Sequence, residues 1–136
     1  MSFKPSMTFI NLPVKDLGKS MDFFKKIGFS FNPQFTDENA ACMVINDHTF
    51  SMLLTKAHFK NFTDKEIVDA TRQSEVLVSF AANNREQVDD ILKKAIEAGG
   101  SPSSDPKDYG SMYQVGFLDL DGHIWEVFYM DQSGHQ

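Results

Sequence analysis

Glu126 is the residue of this sequence whose type and surroundings most invite chemistry. It lies in the run IWEVFYM, residues 124–130, which otherwise has the β-branched and aromatic composition of a strand. A carboxylate in such a run can ligate a metal ion, act as a general base or stand at the wet edge of a cavity. In an apolar cavity it can also bind a hydrogen-bond donor of a ligand. The side chains that share its face of the sheet decide among these roles.

The alternation of side chains along each predicted strand identifies the neighbours of Glu126. In the first strand, residues 8–14, the apolar Ile10, Leu12 and Val14 predict the face toward a helix, and the other parity predicts a cavity face. Applied to the other strands, the same parity assigns these side chains to the cavity: Phe9, Asn11, Pro13, Phe50, Met52, Leu54, Glu75, Leu77, Ser79, Ile124, Glu126 and Phe128.

The polar side chains of this face limit the metals that it can bind. Glu75 and Glu126, with the amide oxygen of Asn11, could hold a hard cation such as Mg²⁺ together with waters. They make a poor zinc or iron site, because no histidine is predicted on this face. The histidines fall at turns, in a linker or in the tail: His48, His58, His123 and His135. We therefore expect no transition metal, and if a divalent ion binds, Glu126 and Glu75 are its expected ligands.

Two tyrosines are further candidates for ligand contact. Tyr109 and Tyr113, in DYGSMY, stand near the start of the penultimate strand, where a loop could reach the mouth of the cavity. The sequence contains no GxGxxG, P-loop, HExxH, CxxC or GxSxG motif, which argues against nucleotide binding, zinc-protease activity and serine-hydrolase activity.

Composition narrows the class of partner. The chain has 136 residues and 41% hydrophobic residues, 13 of them Phe, which suits one domain with a real core or an apolar cavity. Its net charge of −6 and scattered basic residues argue against nucleic acid. No segment approaches the ~20 apolar residues of a membrane span, and the first residues lack a signal-peptide pattern. With Cys42 as the single cysteine, these features predict a cytoplasmic protein.

The first half of the chain predicts one module, residues 7–55. After the first strand, Asp16 is a good helix N-cap, an apolar stripe follows, and Gly28 ends the helix. Three extended runs come next, at 29–36, 39–46 and 49–55. A linker at 56–74 follows, and its capping-box pattern Thr63-Asp64-Lys65-Glu66 predicts a short helix.

The second half repeats this order in a module at residues 75–131. It contains a strand at 75–82, a helix at 83–100 capped by Asn84, a turn-rich stretch at 101–108, and strands at 111–119 and 123–130 joined by Asp121-Gly122. FINLPV-KD-LGKSMDFFKK aligns with LVSFAA-NN-REQVDDILKK at a shift of 68 residues without gaps. We therefore predict an α+β fold: one domain of two βαβββ modules, with a curved mixed sheet around a cavity and helices on the outer face.

Both ends of this pattern resemble the vicinal oxygen chelate superfamily, which includes glyoxalase I, extradiol dioxygenases and the bleomycin and fosfomycin resistance proteins. NLPVKDLGKSMDFFKKIGF is similar to its V-x-D-L … F-Y … L-G-F opening. DLDGHIWEVF is similar to its D-P-D-G-x-x-x-E close, with Leu120 in place of proline. The resemblance runs from Phe9 to Met130. The stretches NLPVKDL, MLLT and DYGSMY look most like a bacterial subgroup labelled "predicted lactoylglutathione lyase".

The resemblance also implies where a metal would bind. In members that use a metal, side-chain ligands occupy four positions on the cavity strands, which correspond here to Phe9, Met52, Leu77 and Glu126. Only the last of these is acidic. The superfamily further implies a homodimer.

We expect the protein to bind a small, largely apolar molecule without a transition metal. Glu126, Asn11 and Glu75 would anchor it, and the cavity walls would come from Phe9, Met52, Leu77 and Phe128. Such binding would serve sequestration or a metal-free reaction with Glu126 as the base. The alternative is a metal-dependent lyase or isomerase of the glyoxalase type, in which the metal stabilises an enediolate. A third reading is a pocketed dimer whose partner is another protein.

Overall fold

The computed structural model describes residues 1–131 and contains two βαβββ modules. In chain order, its elements are β1 (Thr8–Val14), α1 (Leu17–Ile27), β2 (Ser30–Asn32), β3 (Ala40–Val44), β4 (Thr49–Thr55), α2 (Lys56–Phe59), β5 (Leu77–Ala81), α3 (Arg85–Glu97), β6 (Ser101–Asp108), β7 (Met112–Leu118) and β8 (Ile124–Met130). The chain divides into two compact units, Met1–Ile67 and a second that begins at Val68. The α+β class and the two repeated modules predicted above are confirmed.

The first unit is a four-stranded mixed sheet covered by α1. Its strand order is β1-β4-β3-β2, with β1 parallel to β4 and the other neighbours antiparallel. Leu12, Val14 and Leu53 are at most 3% exposed on the side where Phe23 and Phe24 of the helix are also buried. The predicted parity of the first strand is therefore correct.

The ends of α1 are those expected from the sequence. The Asp16 carboxylate accepts a hydrogen bond from the backbone N–H of Lys19 at 3.0 Å, which satisfies an otherwise unpaired donor of the first turn. Gly28 adopts φ 127° and donates its N–H to the carbonyls of Phe24 and Lys25. A side chain at Gly28 would be strained, so glycine suits this stop.

The second unit repeats the arrangement and contains Glu126. Its strand order is β5-β8-β7-β6, with β5 parallel to β8. α3 packs on the face that carries the fully buried Phe117, Trp125 and Val127. Because side chains alternate along a strand, Glu126 points to the opposite face, away from α3.

Three local predictions were wrong. Residues 101–108 form the edge strand β6 instead of turns, and register shifts next to Ser104 let this strand accommodate its two prolines, which an edge tolerates. The linker helix lies at Lys56–Phe59, while the Thr63 hydroxyl accepts the N–H of Lys65 in a local turn that competes with a helix. β5 begins at Leu77, so Glu75 precedes it.

The described part of the chain has no helix with the length and apolar character needed to cross a membrane.

Candidate functional site

Glu126 stands at the centre of the second sheet with both carboxylate oxygens hydrogen-bonded. Ser79 is its neighbour on β5 and donates its hydroxyl hydrogen to Oε1 at 2.7 Å. The Gln114 side chain on β7 donates its amide N–H to Oε2 at 3.1 Å. A carboxylate has about four acceptor positions, so two remain after these bonds. The side chain is thus oriented, half-buried and still able to accept further hydrogen bonds.

Apolar side chains flank this carboxylate on the same face. Leu77 pairs with Ile124 and Ala81 pairs with Phe128 in the β5–β8 register, one pair on each side of Ser79 and Glu126. Leu77 is 55% exposed, while Ile124 and Phe128 are half-buried. Within the second unit, this face is an apolar strip with one polar centre.

Gly116 brings another hydroxyl group to this centre. It lies opposite Glu126 in the β7–β8 register, and its missing side chain would point to the same face. Ser103, which bulges from β6, places its hydroxyl oxygen where a Cβ on Gly116 would stand. Directly opposed Cβ positions are about 5 Å apart, so the Ser103 hydroxyl is a close neighbour of Glu126.

A cavity of about 410 Å³ opens at the end of this face, beside the β7–β8 turn. Its lining residues are Ala70, Thr71, Arg72, Gln73, Ser74, Ser101, Leu118, Asp119, Leu120, Gly122 and Ile124. Ile124 lies two residues before Glu126 on the same face, a separation of about 7 Å along a strand. The cavity and the carboxylate therefore belong to one continuous surface of the second unit.

The first sheet carries an apolar version of the same register. Asn11 pairs with Met52 there, at the positions that Ser79 and Glu126 occupy in the repeat. Phe9 and Phe50 stack with ring centroids 5.1 Å apart and an interplanar angle of 21°. Phe9 remains 45% exposed, so this face also presents apolar surface in its own unit.

Glu75 and the two tyrosines are not brought to Glu126. Glu75 is exposed in the segment before β5, and the partner of Glu126 in the register is Ser79. Tyr113 has the parity of the helix-covered face, and its hydroxyl donates to the Asp89 carboxylate of α3 at 2.6 Å, which raises the pKa of the tyrosine. Tyr109 lies in the β6–β7 turn and is 62% exposed. His135 lies outside the described residues.

The donor set does not fit a transition metal. Of the four positions that correspond to metal ligands in the superfamily, Phe9, Met52 and Leu77 carry side chains without a ligand atom of the required kind. Met52 offers a thioether, which is a soft ligand and suits Cu(I) rather than Zn²⁺ or Ni²⁺. The polar side chains that contact Glu126 are a neutral hydroxyl and a neutral amide.

A cluster of acidic and histidine side chains at the β7–β8 turn was not predicted from the sequence. Ligand atoms of Asp119, Asp121 and His123 all lie within 4.8 Å of one another. The Asp119 carboxylate, however, already accepts the backbone N–H groups of Asp121 at 2.9 Å and His123 at 3.0 Å, and the indole N–H of Trp125 at 3.0 Å. Burial raises the pKa of Asp119, which is 6% exposed. Through these bonds the Asp119 carboxylate stabilises the β7–β8 turn. The D-x-D-G-H spacing was the only signal of this role in the sequence.

Comparison with known proteins places these features in a family. The family profile described as "Bleomycin resistance protein-like N-terminal" matches residues 6–46. A comparison with curated proteins finds no match.

Solved structures give broader coverage. The chain is 35% identical to a hypothetical protein, SA1046, from S. aureus, over 94% of this chain and 95% of that one, with a TM-score of 0.78. A glyoxalase/bleomycin resistance protein/dioxygenase family enzyme from Burkholderia phytofirmans shares 16% identity over 90% and 96% of the two chains, with a TM-score of 0.74. A glyoxalase-related enzyme from Fulvimarina pelagi shares 18% identity over 90% and 86%, with a TM-score of 0.76. With two βαβββ modules, the opening and closing motifs and these relatives, the chain belongs to the glyoxalase/bleomycin resistance/dioxygenase family of the vicinal oxygen chelate superfamily.

Proposed function

We propose that this protein binds a small, largely apolar molecule on the open face of its second sheet, without a transition metal. The observation that carries this proposal is the Glu126 carboxylate, oriented by Ser79 and Gln114 at the centre of an apolar strip. A ligand would bury its apolar body on Leu77, Ile124 and Phe128 and donate a hydrogen bond to Glu126.

Physical chemistry favours this division of roles. Apolar burial yields roughly 25 cal/mol per Å², which supplies affinity without direction. A hydrogen bond to a charged acceptor contributes about 1.5–3 kcal/mol and is lost when the ligand lacks the donor. Glu126 would therefore select ligands, and the apolar strip would hold them. The same carboxylate could accept a proton from a bound carbon acid, in the metal-free reaction that the sequence also suggested.

The metal-dependent lyase is the less supported alternative. It is favoured by the fold and by the relatives described as glyoxalase-related. It is disfavoured by Phe9, Met52 and Leu77, which leave Glu126 without partners suited to a hard or borderline metal.

Assembly and compartment belong to the same proposal. The resemblance to the superfamily supports a homodimer, which sedimentation at several protein concentrations will test. Cys42 is free and 1% exposed, and burial raises its pKa, so its thiol is poorly reactive. A lone buried thiol suits the reducing cytoplasm.

The first experiment measures metal content. Protein purified without a tag is analysed by mass spectrometry, and Ni²⁺, Zn²⁺, Mn²⁺ and Mg²⁺ are then titrated by calorimetry into wild type and Glu126→Ala. We expect no stoichiometric metal and no binding heat at millimolar concentrations. Stoichiometric metal that Glu126→Ala abolishes would overturn the metal-free proposal and put the glyoxalase-type reaction first.

The second experiment measures ligand binding by amide chemical shifts. The probes are 1-hexanol, which carries a donor, and 2-hexanone, which has a body of similar size and no donor. We expect shifts at Ser79, Gln114 and Glu126 with both, and tighter binding of the alcohol. Glu126→Gln should remove that preference, while Asp105→Asn, an exposed acid of β6, should leave it unchanged. If no amide of this face changes its chemical shift when either probe is added, the proposal is wrong.

A further inference from the structure

The cavity beside the β7–β8 turn has a wall, residues 70–74, that was not predicted from the sequence. Residues 69–73 form a hydrogen-bonded turn in which Arg72 and Gln73 donate their backbone N–H groups to the Asp69 carbonyl at 3.0 Å. The Asp69 carboxylate also accepts the backbone N–H of Thr71 at 3.0 Å and its hydroxyl at 2.6 Å. These bonds fix the backbone that presents Arg72 to the cavity.

Gly122 allows the segment that forms this wall to approach the β7–β8 turn closely. A Cβ on Gly122 would lie 2.8 Å from the Ala70 carbonyl oxygen and 2.9 Å from the Thr71 Cα, and these are backbone atoms that cannot swing aside. The φ of Gly122 is 92°, which also favours glycine. The turn and the segment that carries Arg72 are therefore in close contact, and residues of both line the cavity.

Of the two charged residues that line the cavity, only the cation is accessible to a ligand. Among the described residues that line the cavity, Arg72 is the one cation and Asp119 the one anion. Asp119 is buried, and its two oxygens already accept three hydrogen bonds. Arg72 is exposed, and no ion pair within 4.0 Å joins its guanidinium to an acid of residues 1–131. A ligand would thus meet a guanidinium ready to bind, above the apolar floor of Leu118 and Ile124.

We propose that the ligand of this protein is an amphipathic carboxylate whose anionic end binds Arg72 in this cavity. A guanidinium presents parallel N–H donors that match the two oxygens of a carboxylate. The apolar body would lie on Leu118 and Ile124, and a donor group at its other end would reach Glu126, about 7 Å farther along β8. The cavity volume of about 410 Å³ suits a short-chain molecule. This inference rests on the proposed function and adds the chemical class of the ligand.

The test uses three probes of one chain length: 6-hydroxyhexanoate, hexanoate and 1-hexanol. Dissociation constants are measured by amide chemical shifts in wild type, Arg72→Gln and Arg72→Lys. The control is Lys93→Gln, which makes the same charge change on an exposed residue of α3. Arg72 has no side-chain bond within residues 1–131, so Arg72→Gln should melt at the wild-type temperature.

We expect Arg72→Gln to weaken both carboxylates about tenfold and to leave 1-hexanol unchanged, with Arg72→Lys in between. The control variant should bind all three probes as wild type does. This inference would be overturned if the carboxylates bind no more tightly than the alcohol, or if Arg72→Gln leaves their dissociation constants unchanged. Either result would leave the proposed function intact. Failure of all three probes to bind wild type would remove the proposed function as well.

Discussion

The hydroxyl oxygen of Ser103 fills the space that a side chain on Gly116 would need, directly opposite Glu126 in the β7–β8 register. The relationship depends on the irregular pairing of β6, which places a residue out of step with its neighbour Ser104. It explains why a glycine, usually unfavourable in a strand, lies in the middle of β7. Two features of the chain, a bulge and a missing side chain, together set a hydroxyl at the position opposite Glu126.

Gly116→Ala should displace Ser103 and disturb the neighbourhood of Glu126. The backbone of Gly116 does not have a positive φ, so alanine is sterically allowed there and the conflict comes from Ser103 alone. We expect a loss of about 1–3 kcal/mol in the free energy of unfolding, as for other overpacked sites. Urea denaturation measures this loss, and amide shifts of Ser79 and Glu126 report the local disturbance.

The double variant Gly116→Ala with Ser103→Ala is the matched control. The added Cβ on residue 116 would then lie 3.5 Å from the Cβ of residue 103 and 3.6 Å from the Trp125 carbonyl oxygen, both ordinary van der Waals contacts. Stability should return to within about 0.5 kcal/mol of Ser103→Ala alone. A double variant as unstable as Gly116→Ala would show that the conflict lies elsewhere.

Local signals in the sequence predicted the parts of the fold that depend on neighbouring residues. The limits of α1 at Asp16 and Gly28 were predictable, because an N-cap side chain and a C-terminal glycine with positive φ each act within one turn of the helix. The parity that groups Phe9 with Asn11 and Leu77 with Ser79 is also local, since it follows from alternation along single strands. These predictions needed no knowledge of which strands pair.

Features that depend on long-range pairing could not be predicted. The strand β6 contains Pro102 and Pro106 and has no strand-like composition, yet β7 supplies it with a hydrogen-bonding partner. Glu75 is one residue before a run of strand-forming residues, and only the register shows that β5 begins after it. The role of Asp119 likewise depends on Trp125, which contacts it only once the hairpin has formed.

Removing the Asp119 carboxylate should strongly destabilise the second unit. Asp119→Ala would remove the carboxylate that accepts three N–H groups, two from the backbone of the turn and one from the Trp125 indole. The expected loss is about 3 kcal/mol, because unsatisfied buried donors are expensive. Urea denaturation measures it, with Asp105→Ala as the exposed control. A loss below about 0.5 kcal/mol would contradict the role of Asp119 in stabilising the β7–β8 turn.

The titration of Asp119 should be visible in the fluorescence of Trp125, the single tryptophan of the chain. Burial raises the pKa of this carboxyl above its usual value of 3.8, so its protonated form is favoured in the folded protein. Its contribution to stability is present below pH 3.8 and is lost as pH rises through the folded pKa. The emission should therefore change with a midpoint above 3.8, and Asp119→Asn should abolish this change. A midpoint below 3.8 would refute the assignment.

The ion pair between Arg85 and Asp108 should give the opposite pH dependence. The two guanidinium contacts, at 2.9 and 3.1 Å, lower the pKa of Asp108 to about 2, with help from the Gly110 N–H. The stabilisation is present above pH 3.8 and is lost as pH falls toward 2. Carboxyl ¹³C shifts should give the low midpoint in wild type and a midpoint nearer 3.8 in Arg85→Gln. Lys93→Gln is the charge control, and an unchanged midpoint in Arg85→Gln would disprove the pairing in solution.

Ser51→Ala should stabilise the first unit. The Ser51 hydroxyl is completely buried in β4, and among residues 1–131 it is the one buried side-chain polar atom without a hydrogen-bond partner. Burying an unpaired hydroxyl costs about 1–3 kcal/mol, while the change to alanine replaces it with hydrogen and leaves a gap of only one heavy atom. We expect the free energy of unfolding to rise by about 1 kcal/mol in urea denaturation. Ser30→Ala, at the exposed first residue of β2, should change it by less than about 0.5 kcal/mol. A loss of stability in Ser51→Ala would mean that the hydroxyl has a partner, such as an internal water, and that this partner matters to the fold.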